Sequence, residues 1–298
     1  MRVFLTGGSG FVGSHLLTRL LAEGHQVRAL TRHATTLARH PNLEAVEGDV
    51  VEGAGLDAGM QGSDAVIHLV GIIMEVGGAT FERVHYEGTR NVVAAAQRQG
   101  VRRLVHMSAL GARATGVTGY QTTKWRAEEL VRHSALEHVI LRPSLIFGPH
   151  DGFVSQMVQV MKAMPLFRPV VGHGRYPFRP IFIEDVVDCF AQALTSTAAL
   201  NRTIDLMGPE ELTLDQMLAA IAACIGVRKL AIHMPFWVMY LNAGLLGTVM
   251  RRPPVTTDQL RMLREGSTGD PRPMRQIFQV NPVGFRDGLN KYLCKPPS

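Results

Sequence analysis

Tyr120 and Lys124, four residues apart in the run Tyr-Gln-Thr-Thr-Lys, are the side chains of this sequence best suited to moving a proton. On a helix the two share a face, one turn apart. A lysine ammonium held near a phenol lowers the phenol's pKa, and the phenol can then give or take a proton at a reacting oxygen. Ser108 ends the apolar run 103–108, twelve residues before Tyr120, and offers a hydroxyl that can orient a carbonyl. A Tyr-x-x-x-Lys pair alone is more often solvated than catalytic. Its weight here comes from what precedes it in the chain.

The chain opens with a short apolar strand, Arg2 to Thr6, that runs into glycines readable as G-x-x-G-x-x-G (Gly7, Gly10, Gly13) or G-x-G-x-x-G (Gly8, Gly10, Gly13). A helical pattern follows in Val12, Leu16, Leu17, Leu20 and Leu21, and Gly24 stops it. Strand, glycine turn and helix in that order suit a dinucleotide pyrophosphate, because the backbone can approach the phosphates and the helix presents its free N–H groups. Gly7, Gly10, Phe11, Val12 and Gly13 are the expected pyrophosphate residues. The next strand, Gln26 to Thr31, is where an NAD site commonly supplies a carboxylate for the adenosine ribose. This sequence has Arg28, Thr31, Arg32 and His33 there and no acid. A guanidinium suits a 2′-phosphate, so Arg32 predicts NADP(H) as the preferred cofactor, with NAD(H) as the alternative. Asp49 and Val50 follow the third strand, where an Asp can meet the adenine amino group. Leu69, Val70 and Gly71 end a fourth apolar run and let the cofactor ribose come close. In this setting Lys124 also reaches the nicotinamide ribose.

These groups need a scaffold, and the apolar runs describe one. Runs at 43–47, 65–70, 103–108 and 138–142 alternate with helical patterns at about 80–99 and 120–133. Near-continuous apolar strands separated by helices imply a parallel sheet covered on both faces. The expected class is α/β, a Rossmann-type doubly wound parallel sheet, with ligands beyond the carboxyl ends of the strands. Residues 1–147 read as the dinucleotide-binding domain. Residues 148–298 read as a smaller substrate or docking region interleaved with that sheet.

Composition is compatible with such a core: 298 residues, 46% hydrophobic, with 31 Lys and Arg against 25 Asp and Glu, the net charge of +6 being spread along the chain. No nucleic-acid motif and no metal site are visible. Cys189, Cys224 and Cys294 are odd in number and far apart, which predicts reduced thiols and no redox pair. The first strand begins at Arg2, so no cleaved leader is expected. The predicted location is cytoplasmic, with a peripheral position on the inner face of the membrane as the variant.

Taken together, TGGSGFVGSH (6–15), GDV (48–50), AVIHLVG (65–71), YEGTRNVVAAA (86–96), YQTTK (120–124), LRPSLIFGP (141–149) and FIEDVVDCFAQAL (182–194) resemble the extended short-chain dehydrogenase/reductase superfamily. HLVGIIME, FERVHYEGTRNVV, HMSALGA and RPSLIFGPHDGF resemble most its atypical branch, that of the nucleotide-binding accessory subunit of respiratory complex I and its bacterial relatives. The resemblance implies that Arg142, Pro143 and Ser144 border the nicotinamide end, and that Gly148-Pro149 opens the substrate region. Two departures stand out. Ala109 follows Ser108 where extended members usually carry a second hydroxyl, and His85 stands where many have Asn. Two functions follow from the resemblance. One is an oxidoreductase or epimerase working on a carbonyl or alcohol carbon of a small molecule, with Tyr120, Lys124 and Ser108 as its catalytic set. The other is a non-catalytic NADPH-binding accessory or assembly protein of a respiratory or quinone-related membrane complex.

The second half is less legible. Gly172 to Arg179 reads as a loop in which Arg175 and Arg179 either meet an anionic substrate or support the sheet. Thr213 and Gln216 form a capping box for a helix to Ile225, and a Thr cap is expected at 256 or 257. Leu230 to Met250 is a run of uncharged residues between Lys229 and Arg251. It reads as buried packing, as an interfacial or partner-docking surface giving peripheral membrane contact, or as a membrane span.

Overall fold

The structure, a computed structural model, describes residues 1–33, 37, 39–164, 166–241 and 255–294. Six strands come from the first half of the chain: β1 (Arg2–Thr6), β2 (Gln26–Thr31), β3 (Leu43–Glu47), β4 (Ala65–His68), β5 (Arg103–Met107) and β6 (Glu137–Pro143). All of their pairings are parallel. A seventh strand, Arg202–Leu206, joins beside β6, and the order is Arg202–Leu206, β6, β5, β4, β1, β2, β3. The chain therefore reverses its direction of growth between β1 and β4, the switch point at which doubly wound sheets open a ligand crevice. Thr6 lies opposite Leu30 on one side and His68 on the other, so the strand ends that face this crevice are in register.

Burial explains why these runs are strands. Val3, Phe4, Leu5, Ala65, Val66 and Ile67 are all fully buried, as residues covered on both faces must be. Helix α1 (Phe11–Ala22) buries Val12, Leu16, Leu17 and Leu20, the three- and four-residue spacing of one face. With α2 (Leu56–Met60), α3 (Gly88–Arg98) and α4 (Gly119–Arg132) it covers the sheet. One face is closed by Leu56, Met60, Val92, Val93 and Val131 against Phe4, Val66, Leu104 and Ile140.

Two elements differ from the sequence reading. The fourth apolar run leaves the ladder at His68, because Leu69 and Val70 turn to meet the glycine turn after β1. The helix expected over about 80–99 is two elements, a π-helical stretch Glu82–Glu87 and then α3. Wide turns of that kind commonly re-aim a side chain at a functional site; here the side chain is His85.

The chain divides into two compact units. The first holds residues 1–143, 186–205 and 272–280, and the second holds 144–185, 206–271 and 281–298. In the second, the helix Leu214–Cys224 begins with the expected Thr213–Gln216 capping box, and the helix Thr257–Glu265 with one formed by Thr256 and Gln259. Strands Phe167–Val171 and Leu230–Met234 pair in parallel. Cys224 and Cys294 form a disulfide with Cα atoms 4.4 Å apart, which corrects the expectation of no pair. Packing of Phe285–Tyr292 against Leu214–Cys224 closes a separation of 70 residues that spacing alone could not bridge. The apolar run is also corrected. It starts as a strand, and Leu230, Trp237 and Leu241 are exposed rather than packed. No helix among the described residues is long and apolar enough to cross a membrane. Residues 242–250 of the run lie outside the described residues.

Candidate functional site

The glycine turn is built by close approach. Gly7 has φ +78°, and a Cβ there would sit 3.2 Å from the Leu69 backbone and from the Val70 nitrogen. A Cβ on Gly13 would overlap the Gly7 carbonyl oxygen, so this glycine lets α1 pack on the turn. Gly10 caps α1 from an extended conformation and donates its N–H to the Gly7 carbonyl (3.0 Å). Beside this turn lies a cleft of about 430 Å³, lined by Gly7, Ser9, Gly10, Thr31, Arg32, Asp49, Val50, Leu69, Val70 and Gly71 among others.

Eight expected cofactor residues therefore line one cleft: Gly7, Gly10, Arg32, Asp49, Val50, Leu69, Val70 and Gly71. Phe11, Val12 and Gly13 do not. Val12 and Gly13 are buried in α1, and Phe11 lies edge-on to His15. Pro143 is buried at the end of β6, away from the lining, with its carbonyl accepting from the Leu110 N–H (2.9 Å). At the adenosine end, Arg28 is committed elsewhere, donating to Glu44 (2.7 Å) and to the Gln61 carbonyl (2.9 Å). Arg32 is exposed, and its guanidinium has no partner among the described residues. One Asp49 carboxylate oxygen accepts from the Val51 N–H (2.7 Å), which shapes the turn after β3.

The proton-moving groups converge at the ends of β4 and β5. Thr118 caps α4 by accepting from the Gln121 N–H, which sets Tyr120 in the first turn and Lys124 in the second. Lys124 is 3% exposed and donates its ammonium to the Met107 carbonyl at the end of β5 (3.0 Å). A Cβ on Gly71 would lie 2.9 Å from that ammonium, so the glycine leaves room for it. Ser108, next to Met107, is 4% exposed, and its hydroxyl has no hydrogen-bond partner. A buried hydroxyl left unpaired costs on the order of 1–3 kcal/mol and marks a place where a ligand's polar atom would be welcome.

His85 ties this corner together. The Thr123 hydroxyl donates to the Gly119 carbonyl (2.6 Å), so it accepts from His85 Nδ1–H (3.0 Å). His85 Nε2 lies between the Ile72 N–H (3.1 Å), from which it accepts with Nδ1 protonated, and the Ile72 carbonyl oxygen (3.0 Å), tying the segment after Gly71 to α4. The Tyr120 ring stands edge-on to His85 (5.3 Å) and Phe81 (5.8 Å).

The electrostatics depart from the sequence reading at one point. Burial pushes the Tyr120 phenol up to about 12, where proximity of the ammonium was expected to lower it. The ammonium is held by the Met107 carbonyl, and burial brings Lys124 itself down to about 8 against the opposing pull of Glu128. Three imidazoles share the low-dielectric surroundings. Burial, then the Lys124 charge, lowers His68 to about 3 and His85 to about 2. His106 is held well below its ordinary value by burial first and His68 second. His68 is partnered by the hydroxyls of Thr6 (2.7 Å) and Thr89 (3.1 Å), whereas neither ring nitrogen of His106 has a partner.

Sequence reasoning missed Glu128, His68, His106 and Thr123. Glu128 could have been found from its spacing, since it follows Lys124 by one further turn. It is fully buried, accepts both Nε (2.7 Å) and Nη2 (2.6 Å) of Arg142, and also pairs with Arg132. Arg142, expected at the nicotinamide end, thus has its guanidinium occupied in holding α4 to β6. His68 and His106 are opposite each other across β4 and β5, a relation no single-strand pattern reveals. In the second unit, Arg179 donates to the Pro209 carbonyl (3.1 Å) and pairs with Glu211 (3.4 Å), so it supports a loop, while Arg175 is exposed. Gly148 has φ +155°, and a Cβ there would overlap Ile183.

A protein family described as NAD(P)H-binding matches residues 7–160. A 3-beta-hydroxysteroid dehydrogenase of Mycolicibacterium neoaurum is 42% identical over 113 residues, which are 35% of this chain and 31% of that protein. The chain therefore spans about a third of that relative's length. A 4-hydroxy-2-methyl-3-oxo-4-farnesyl-3,4-dihydroquinoline-1-oxide ketoreductase of Stigmatella aurantiaca is 28% identical, over 97% of this chain and 95% of its own. The mitochondrial NADH dehydrogenase [ubiquinone] 1 alpha subcomplex subunit 9 of Arabidopsis thaliana is 27% identical, over 71% of this chain and 54% of its own. Among solved structures, the UDP-glucuronic acid 4-epimerase of Bacillus cereus in complex with UDP-glucuronic acid and NAD has a TM-score of 0.75 at 18% identity, covering 97% of each chain.

Proposed function

For a chain that belongs to the NAD(P)H-binding family and has the fold of the extended short-chain dehydrogenases/reductases, we propose an NADP(H)-dependent oxidoreductase or epimerase acting on a carbonyl or alcohol carbon of a small molecule. The residues present fit such a cofactor. Gly7 and Gly10 of the turn line the cleft, and Arg32 offers it a guanidinium with no partner among the described residues, suited to a 2′-phosphate. When bound, a reduced nicotinamide supplies the hydride that adds to a carbonyl carbon. Tyr120 gives the proton to the carbonyl oxygen, completing the alcohol, and takes it back in the reverse direction. Ser108 donates its unpaired hydroxyl to the same oxygen and orients it. Lys124 supplies positive charge beside Gly71 and holds the ribose there.

The observation that carries this reading is the buried, unpartnered Ser108 hydroxyl next to the carbonyl that holds Lys124, one turn from Tyr120. The near full-length relative named as a ketoreductase supports a cyclic ketone as the kind of substrate. The test is NADPH oxidation by the full chain over a panel of oxo-quinolines, quinones and nucleotide sugars. Tyr120→Phe is expected to bind NADPH normally while its turnover falls by roughly two to four orders of magnitude. Wild-type turnover in Tyr120→Phe would remove the assignment.

A second reading, a non-catalytic NADPH-binding accessory of a respiratory or quinone-related membrane complex, is favoured by the geometry of Lys124 and the burial of Tyr120. The Lys124 ammonium is engaged by Met107, and the phenol is pushed up rather than activated. The relative named as an NADH dehydrogenase subunit supports it. On this reading Tyr120→Phe is without effect in the cell, whereas the cofactor-blind Gly10→Val disturbs assembly of the complex.

A further inference from the structure

Of the eight large hydrophobic side chains left exposed among the described residues, five belong to the second unit. They are Leu166 (80% exposed), Leu230 (73%), Ile232 (41%), Trp237 (69%) and Leu241 (57%). Tertiary pairing gathers the first three of them. Leu230 lies opposite Phe167 in the parallel pair, and its N–H donates to the Leu166 carbonyl (3.4 Å). Lys229 donates its ammonium to the Met161 and Met164 carbonyls at the end of the helix Phe153–Ala163. Leu166 and Leu230 are therefore neighbours, and Ile232, two residues along the strand, is on the same face as Leu230. Trp237 and Leu241, four apart within the helical residues 236–241, share a helix face.

Asp215 pairs with His233 (2.7 Å) on this strand pair, and the exposed charges that flank the apolar residues in the chain are cations. Lys162 and Arg228 are exposed, have no ion-pair partner among the described residues, and flank Leu166 and Leu230 in the chain. Between Asp215 and Asp258 the sequence carries Arg228, Lys229, Arg251 and Arg252 and no carboxylate. Tryptophan and leucine bordered by unpaired cations match the boundary of an anionic bilayer, where apolar groups meet acyl chains and ammonium or guanidinium groups meet phosphates. We propose that this edge of the second unit docks the protein on an anionic lipid surface. Leu230, Trp237 and Leu241 enter the acyl boundary, and Lys162 and Arg228 meet the headgroups. The inference is independent of the reaction proposed above.

The test is sedimentation of the full chain with vesicles of phosphatidylglycerol in phosphatidylcholine, against phosphatidylcholine alone, with tryptophan emission recorded. Binding to the anionic vesicles only, weakened by salt and accompanied by a blue shift, is expected. Trp237→Glu and Leu166→Glu should each lower the partition by roughly tenfold or more while keeping the wild-type thermal transition. Leu166 is so exposed that its change cannot disturb packing, which keeps the test valid if Trp237→Glu fails to fold. No binding to anionic vesicles, or undiminished binding by Leu166→Glu, would overturn the proposal. So would a dimer in sedimentation velocity that Trp237→Glu dissociates, since a second copy would then own this edge.

Discussion

Arg28 and Arg32 are one helical turn apart by number, yet the strand sends them to different work. Arg28 braces Glu44 and the Gln61 carbonyl, whereas Arg32 lines the cleft with no guanidinium partner among the described residues. Arg32→Asp should weaken NADPH binding by roughly tenfold to a hundredfold, the range for charge-assisted hydrogen bonds, and leave NADH binding nearly unchanged. Calorimetric titration of both cofactors checks this, and equal losses would take the 2′-phosphate away from Arg32. His85 makes a related point about what one residue type can say. The sequence marks it as a departure from Asn. Its duty, N–H to Thr123 and lone pair to the Ile72 amide, depends on a π-helical stretch that no local pattern announces.

At the scale of elements, two glycines of similar appearance do different things. Gly13 meets backbone, the Gly7 carbonyl, whereas Gly71 meets first the end of a long flexible side chain, Lys124, and then His85 Nε2 at an ordinary 3.6 Å. Gly13→Ala should therefore force α1 away from β1 and cost about 3 kcal/mol in chemical denaturation. Gly71→Ala should leave the unfolding midpoint nearly unchanged. It moves the ammonium off the Met107 carbonyl, with a loss of roughly a hundredfold in turnover, as misplaced catalytic groups show. If Gly71→Ala unfolds the protein and Gly13→Ala does not, the roles are reversed. The strand-turn-helix at the N-terminus was legible because glycine spacing and helical periodicity are local. The end of β4 was not, because Leu69 and Val70 are as apolar as the strand and leave it only to meet Gly7.

At the scale of the whole molecule, the buried imidazoles tie stability to pH. His68 and His85 titrate at about 3 and about 2 in the folded chain, and His106 well below its ordinary value. Unfolded, each takes up a proton near pH 6.5. Below that value the unfolded state binds more protons than the native one, so stability falls as pH falls from about 6.5 toward 3. Three such groups give a limiting slope of about 4 kcal/mol per pH unit. Urea unfolding followed between pH 7 and about 4 should show this steep loss. His106→Phe, which replaces a ring with two unpartnered nitrogens, should make the slope shallower by about one third. An unchanged slope in that variant would mean that His106 is not buried neutral.

What the sequence determined by itself is what repeats locally. Apolar runs covered on both faces declare a parallel sheet, glycines at fixed spacing declare a turn for phosphates, and Tyr120, Lys124 and Ser108 can be named before any contact is known. Tertiary structure decided the rest because the deciding partners are far apart in the chain. Lys124 is brought to about 8 by a pocket made from β4, β5 and α4, and its ammonium finds a carbonyl rather than the phenol. Cys224 meets Cys294 across 70 residues. The apolar run that begins at Leu230 reads first as core, then as a docking surface and least as a span until its partner strand is known. Pairing with Phe167–Val171 places Leu230 and Ile232 on one face of the strand pair, where both are exposed.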